Sequence, residues 1–337
     1  MTKGPLVSVI MPTYNRVDKI ASAINSVLKQ TYRNFQLIIS DDGSTDGTGD
    51  FIMKNYPQVD YIMSHHAGQA AARNKGLSVA KADIIASLDS DDKWDPEFLE
   101  TCVTKLEADN LDFVFANWIQ QFPYGVSKDF FSEDLFLKPY LKNKDEKWQI
   151  LSGADLRKLY LRACPSPSSS AVMRKSSIVS GWNERINISD DWCLFLDMVL
   201  TKDCKAAFTT EVYWNKYINS NNIYDGRRRS ELLELFHIQD TLEFMSRFKD
   251  KISKSEFRVL NKRCVRGFVE LAKHHVIDGF DIPRSASLMR DSAKLSVLDT
   301  VIAIPDVILF GVNRRFRDLL VKLKRKTQAQ LSEIRNQ

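Results

Sequence analysis

Three short acidic clusters carry the chemistry this sequence could perform. Asp89-Ser90-Asp91-Asp92 sets three carboxylates within four residues. Carboxylates so close repel one another unless a cation joins them. A hard divalent cation such as Mg²⁺ or Mn²⁺ takes oxygen ligands and completes its shell with water and phosphate oxygens. Asp41-Asp42-Gly43-Ser44 offers a carboxylate that can accept the ring N–H of a pyrimidine. The same four residues also suit a turn in which Asp and Ser satisfy the backbone and glycine takes a positive φ. Ser189-Asp190-Asp191 precedes the apolar run from Cys193 to Val199. Ser189 is the predicted helix N-cap, and the dipole favours ionised carboxylates in the first turn. An ionised carboxylate there can serve as a general base toward a hydroxyl within reach. A solvated turn or a simple helix cap would explain each cluster on its own.

These clusters need elements that bring them together. Val7 to Met11 is an apolar run read as a buried strand stopped by Pro12. Val17, Ile20, Ala21, Ile24, Val27 and Leu28 follow at helical spacing. Further strands are predicted at Phe35 to Ser40, Asp60 to Met63, Asp83 to Leu88 and Asp112 to Ala116, with an Ala-rich helix from Ala70 to Ala80. Asp95-Pro96-Glu97 reads as a helix start, with Asp95 as cap and Pro96 in the first turn. The alternation predicts an α/β domain, a mostly parallel sheet with helices on both faces. Ligands of such sheets bind beyond the carboxyl ends of the strands, so the first two acidic clusters are expected on one sheet edge. Residues 117–165 are aromatic-rich without periodicity, the pattern of a functional loop or lid. From Ser230 onward the pattern is helical. The expected division is a catalytic domain over 1–229 and a helical region over 230–337.

The strings VSVIMPTYNR, LIISDDGSTDGT, AGQAAARNKG, IIASLDSDD and GWNERINISDDW, in that order, resemble the family 2 glycosyltransferases of the GT-A (Rossmann-like) fold over about residues 5–220. The resemblance implies an inverting transferase that uses a nucleotide-diphosphate sugar, UDP foremost, with Mn²⁺ or Mg²⁺. It places Pro12, Thr13, Tyr14, Asp41 and Asp42 around the nucleoside and Arg73 near the base and diphosphate. Asp89 would face the ribose or sugar, and Asp91 would be the principal metal ligand with Asp92 behind it. Asp191 would be the general base, beside Asp190 where relatives more often carry Glu. Many relatives also carry a His after the base helix. Here that stretch reads Trp214 to Ser220 with no His, leaving Tyr217 or Lys216 as stand-ins. Arg227, Arg228 and Arg229 are candidates to fold over the diphosphate. Trp182, Trp192 and the aromatics of 117–165 are candidates to stack on acceptor sugars.

Composition narrows the alternatives. The 337 residues carry a net charge of +5. The stretch from Arg314 to Gln337 alone carries eight Lys/Arg and two Asp/Glu, so the remainder is close to neutral. A nucleic-acid enzyme would spread basic charge over its working face. Phe316, Leu319, Leu320 and Leu323 form an apolar stripe among those basic residues, as in helices that lie on anionic membranes. The expectation is therefore a cytoplasmic protein peripheral to the inner face of the membrane, acting on a lipid-linked or growing glycan. The N-terminus does not read as a signal peptide. Five scattered cysteines without a CxxC pair read as reduced thiols. A dinucleotide-binding enzyme would need GxGxxG after the first strand, which Pro12-Thr13-Tyr14-Asn15 does not supply. A sugar-nucleotide nucleotidyltransferase would want a glycine- and basic-rich loop there. A catalytically silent glycan-binding scaffold on the same fold is the rival of another class, and its expected signature is a broken acidic motif.

Overall fold

The computed structural model describes residues 4–141, 146–218, 224 and 226–308. The chain divides into two compact units. The first comprises residues up to 227 together with 243–257, and the second comprises 228–242 and residues from 258 on.

In the first unit, β1 (Val7–Thr13), α1 (Ile20–Leu28), β2 (Phe35–Asp41), α2 (Thr48–Asn55), β3 (Asp60–Met63), α3 (Gln69–Val79) and β4 (Ile84–Ser87) form the alternating half. β5 (Lys93–Trp94), α4 (Phe98–Ala108), β6 (Phe113–Gln121), β7 (Ser127–Asp129), α5 (Phe130–Glu133), β8 (Trp148–Leu151), α6 (Gly153–Tyr160), β9 (Ala171–Arg174), α7 (Asp190–Thr201) and β10 (Ala206–Tyr217) follow. The strands make one sheet in the order β3-β2-β1-β4-β9-β6-β10-β5, with β7 on β6 and β8 also on β10. β3, β2, β1 and β4 are mutually parallel, and β6 and β10 are parallel to each other. β9 runs antiparallel between β4 and β6 and joins the two halves.

The chain builds outward from β1 to β3, then returns to the other side of β1 to lay down β4. That reversal is the switch point at which open α/β sheets bind ligands. All seven residues of β1 are buried, as expected of a strand covered on both faces. Pro12 does not end the strand. It pairs in register with Ser40, while β4 reaches only as far as Ile10 on the other side. A proline lacking a donor is tolerated where one flank of the strand is open.

α3 beds deeply against β1 because its inner face is small. Ala70, Ala72 and Gly76 are buried there. A Cβ on Gly76 would come within 2.5 Å of the Cγ2 of Ile10, a fully buried β-branched residue. Gly76→Ala is therefore expected to lower stability by about 1–3 kcal/mol through overpacking, read as a fall in the urea midpoint. An unchanged midpoint would show that α3 can ride up without cost.

Two expectations change here. The segment 117–165 carries β7, α5, β8 and α6, and its Trp118, Phe131, Tyr140 and Tyr160 are buried while Leu135 and Phe136 are exposed. Trp118 stacks on Phe130 at 4.0 Å and meets Trp214 at 5.1 Å, while Phe131 packs on Phe115 and Phe208. Irregular aromatic packing has no sequence period, which is why it resembled a loop. The helix after Asp95 begins at Phe98, with Asp95 and Pro96 in the preceding turn. The five cysteines are free thiols, four of them buried.

The second unit is helical throughout its described residues. It draws on α8 (Arg229–Leu232), a π-helical turn (Leu233–Gln239), parts of α9 (Asp240–Phe248) and α10 (Lys254–Gly279), α11 (Ile282–Leu295) and a helix over 297–308. Val265, Val269, Ala303 and Val307 form its core. The basic amphipathic stretch from Arg314 lies outside the described residues.

Candidate active site

The ends of β1, β2 and β4 and the start of α7 supply the site. Asp41 closes β2 and is fully buried. Its Oδ1 accepts the Ser44 N–H at 2.8 Å and its Oδ2 the Tyr61 hydroxyl at 2.9 Å. Burial, then the Asp41 hydrogen bond, pushes the Tyr61 phenol upward and keeps it a donor. Asp42 caps the entry to α3: its two oxygens accept the N–H groups of Ala67 and Gly68, each at 2.8 Å. His66 Nδ1 lies 2.8 Å from Asp42 Oδ2, and the His66 ring stacks on Tyr14 at 4.2 Å. This exposed aromatic pair is a flat platform seated on Asp42. Thr13, at the end of β1, holds a buried hydroxyl without a partner among the described residues.

After β4, Asp89 is half-buried while Asp91 and Asp92 turn inward. Asp91 Oδ2 sits 3.5 Å from Arg16 Nη2. Burial, then Asp89, raises the Asp91 carboxyl, and Arg16 and Lys216 only partly offset this. Burial, with Asp89 and Asp91, raises Asp92 further. Asp92 accepts the Tyr217 N–H at 3.4 Å, and Lys93 Nζ lies 4.7 Å above the Tyr217 ring. The end of β10 thus reaches the acidic loop through the Tyr217 backbone. Mutually destabilised carboxylates fit a divalent cation. Among the described residues no three His, Cys, Asp or Glu side chains converge on one point. A cation at Asp91 would therefore complete its shell with water and ligand oxygens.

Arg73 joins this loop to α7. Its guanidinium is 1% exposed and reaches Asp89 Oδ1 at 2.7 Å, Asp190 Oδ2 at 2.5 Å and Asp191 Oδ1 at 3.6 Å. The expectation that Arg73 borders the diphosphate is corrected: no part of it is open to a ligand, because small-faced α3 carries it into the core. Asp190 is corrected as well. Arg73 and Gln69 (2.6 Å) occupy its two oxygens, and it is 2% exposed. Burial outweighs Arg73 and, with Asp191 and Asp89, holds this carboxyl up at about 7. Asp190 is an internal anchor and not a base for an incoming hydroxyl.

Asp191 differs. It sits in the first turn of α7 with its side chain 19% exposed. Ser189 occupies the N-cap position, yet its hydroxyl makes no cap bond. The Ser168 N–H reaches Asp191 Oδ2 at 2.9 Å, and the Ser168 hydroxyl and Trp182 Nε1 (3.2 Å) both donate to Oδ1. Neither tryptophan offers a stacking face. Trp182 is buried with its indole N–H on this carboxylate, and Trp192 is buried with its N–H on the Tyr160 carbonyl at 2.6 Å. Arg228 pairs with Glu231 at 2.9 Å and Arg229 with Glu270 at 2.8 Å, which commits both within the helical unit. Ser168 and Ser169 were not singled out from the sequence. Ser169 Oγ accepts the Asp89 N–H at 3.1 Å, so one serine triplet braces both acidic segments.

Among solved structures, the chain is similar to Staphylococcus aureus TarS 1-349 in complex with UDP-GlcNAc. The TM-score is 0.60 at 15% identity, over 89% of this chain and 90% of that one. It is also similar to the mannosyltransferase PcManGT from Pyrobaculum calidifontis in complex with GDP-Man and Mn²⁺, with a TM-score of 0.54 at 16% identity over 94% and 84% of the two chains. This architecture is the GT-A fold. The sequence model of glycosyl transferase family 2 matches residues 8–164. Escherichia coli WfaP, a UDP-Glc:α-D-GlcNAc-diphosphoundecaprenol β-1,3-glucosyltransferase, is 30% identical over 69% of this chain and 88% of its own length. The chain belongs to glycosyl transferase family 2. It spans about half the length of two other relatives: 53% of GlyG from Streptococcus pneumoniae (31% identical over 44% of this chain) and 58% of TuaG from Bacillus subtilis (38% identical over 41%).

Proposed function

We propose that this protein is an inverting, metal-dependent glycosyltransferase that moves a sugar from a UDP-sugar to a hydroxyl of a lipid-linked or growing glycan. The observation that carries the reading is Asp191. It is the partly open carboxylate of α7, held by Ser168 and Trp182 and tied through Arg73 to Asp89 in the acidic loop. In this reading the exposed Tyr14–His66 pair, seated on Asp42, receives the nucleoside, and Asp89 faces the ribose or sugar. Asp91 holds Mn²⁺ or Mg²⁺ together with diphosphate oxygens. The cation supplies charge stabilisation to the departing diphosphate. Asp191 takes the proton of the acceptor hydroxyl, which attacks the anomeric carbon from the face opposite the leaving group. One displacement inverts the configuration.

The donor and acceptor classes follow from the likeness to WfaP, whose name specifies a UDP-glucose donor and a diphosphoundecaprenol-linked acceptor. Contact with the inner face of the membrane rests on the basic amphipathic sequence beyond Arg314. No helix among the described residues is long and apolar enough to cross a membrane.

The test is calorimetric titration of UDP, GDP and dTDP with Mn²⁺ and with EDTA, on the wild type and Asp91→Asn. UDP is expected to bind with Mn²⁺, and to lose most of its affinity in EDTA and in the variant. A folded, metal-replete protein that binds none of the three would overturn the proposal.

A further inference from the structure

Resting on the reading of Asp191 as general base, we infer that Ser168 and Trp182 are positioning residues that saturate Asp191 Oδ1 and leave Oδ2 as the atom that receives the acceptor proton. The two oxygens are treated unequally. Oδ1 accepts the Ser168 hydroxyl and the Trp182 indole N–H at 3.2 Å, with Arg73 Nη1 at 3.6 Å behind them. Oδ2 accepts only the Ser168 backbone N–H, at 2.9 Å, among the described residues. A carboxylate oxygen has two lone pairs, so Oδ2 keeps one open. The clamp is rigid. Trp182 Nε1 also lies 3.2 Å from Ser168 Oγ, and both residues are buried. Asn74 fixes the backbone of Trp182 from both sides, donating to its carbonyl and accepting its N–H, each at 2.8 Å.

The step balances as follows. The acceptor O–H bond breaks and its proton moves to Oδ2. The hydroxyl oxygen bonds the anomeric carbon, and the carbon–oxygen bond to the diphosphate breaks with its electron pair on the departing nucleotide. The charged or titratable groups around Asp191 are Arg73 from α3, its neighbour Asp190, Asp89 across Arg73, and the Cys164 thiol. Ser168→Ala and Trp182→Phe leave all of these in place.

The experiment follows UDP release from UDP-sugars, with UDP affinity measured beside it, for the wild type, Ser168→Ala, Ser168→Thr, Trp182→Phe and Asp191→Asn. Ser168→Ala and Trp182→Phe are expected to lose ~10–100-fold in kcat, with UDP affinity unchanged. Ser168→Thr restores the hydroxyl and should recover most of the rate. Variants that fold and retain the wild-type kcat, or that lose UDP affinity in step with rate, overturn the inference, as does a Ser168→Thr that fails to recover the rate lost in Ser168→Ala. Trp182→Phe reads the outcome by itself if Ser168→Ala fails to fold. Full turnover by Asp191→Asn overturns the base reading instead, whereas an inactive Asp191→Asn beside Ser168→Ala and Trp182→Phe at the wild-type kcat overturns only the clamp.

Discussion

Asp191→Asn is expected to lower sugar transfer about 10²–10⁴-fold, the usual contribution of a positioned general base, while UDP still binds with its cation. The separation follows from placement. Asp191 is on α7, whereas Tyr14, Asp41 and Asp91 lie beyond β1, β2 and β4. The amide also carries a structural cost. Its NH₂ must face either the Ser168 N–H or Trp182 Nε1–H, both donors in the native site. One opposed pair costs about 1–3 kcal/mol, too little to unfold a domain of this size. Single-turnover kinetics beside UDP titration would read both effects. A variant that transfers at the native rate would remove Asp191 from the mechanism, and one that loses UDP binding would make it a donor ligand.

Arg73→Met should be the most destabilising single change at the site, by about 3–5 kcal/mol, seen as a melting temperature lower by roughly 10 °C. The side chain fits by volume, yet Asp190 stays buried without its cation. The loss depends on pH with a definite sign. In the wild type the Asp190 carboxyl is raised to about 7. A raised carboxyl contributes its stability at low pH and forfeits it as pH climbs through that value. Without Arg73 the carboxyl rises further, so the deficit should be larger at pH 8 than at pH 6. Adding Asp190→Asn to Arg73→Met should recover part of it. A deficit below about 1 kcal/mol, or one indifferent to pH, would mean the guanidinium is not what neutralises this pocket.

The parts legible in the sequence were those written locally. An apolar run followed by acids marks a strand end, which placed Asp41 at the end of β2 and Asp89 and Asp91 after β4, and acids before an apolar run placed Asp191 in the first turn of α7. What failed was inference from residue type alone. Arg73 was taken for a ligand group because it is cationic. It is internal because Ala70, Ala72 and Gly76 let its helix sink. Trp182 and Trp192 were taken for sugar platforms because they are aromatic, yet their indole N–H groups have buried partners 9 to 32 residues away. The tie between Ser168 and Asp191 spans 23 residues and leaves no mark on periodicity. β9 (Ala171–Arg174) and β10 were not among the predicted strands.

That short strand governs the order in which the chain can be completed. β3-β2-β1-β4 is local and can assemble while the rest is still being synthesised. The second half of the sheet meets it only through β9, whose partners in β4 lie 86 to 90 residues earlier. Until residue 174 is available, β4 and β6 each present a bare hydrogen-bonding edge, the template for pairing with other chains. A fragment cut at residue 164, where the family match ends, would keep both edges and lack Asp191. Such a fragment should aggregate rather than act as a minimal enzyme.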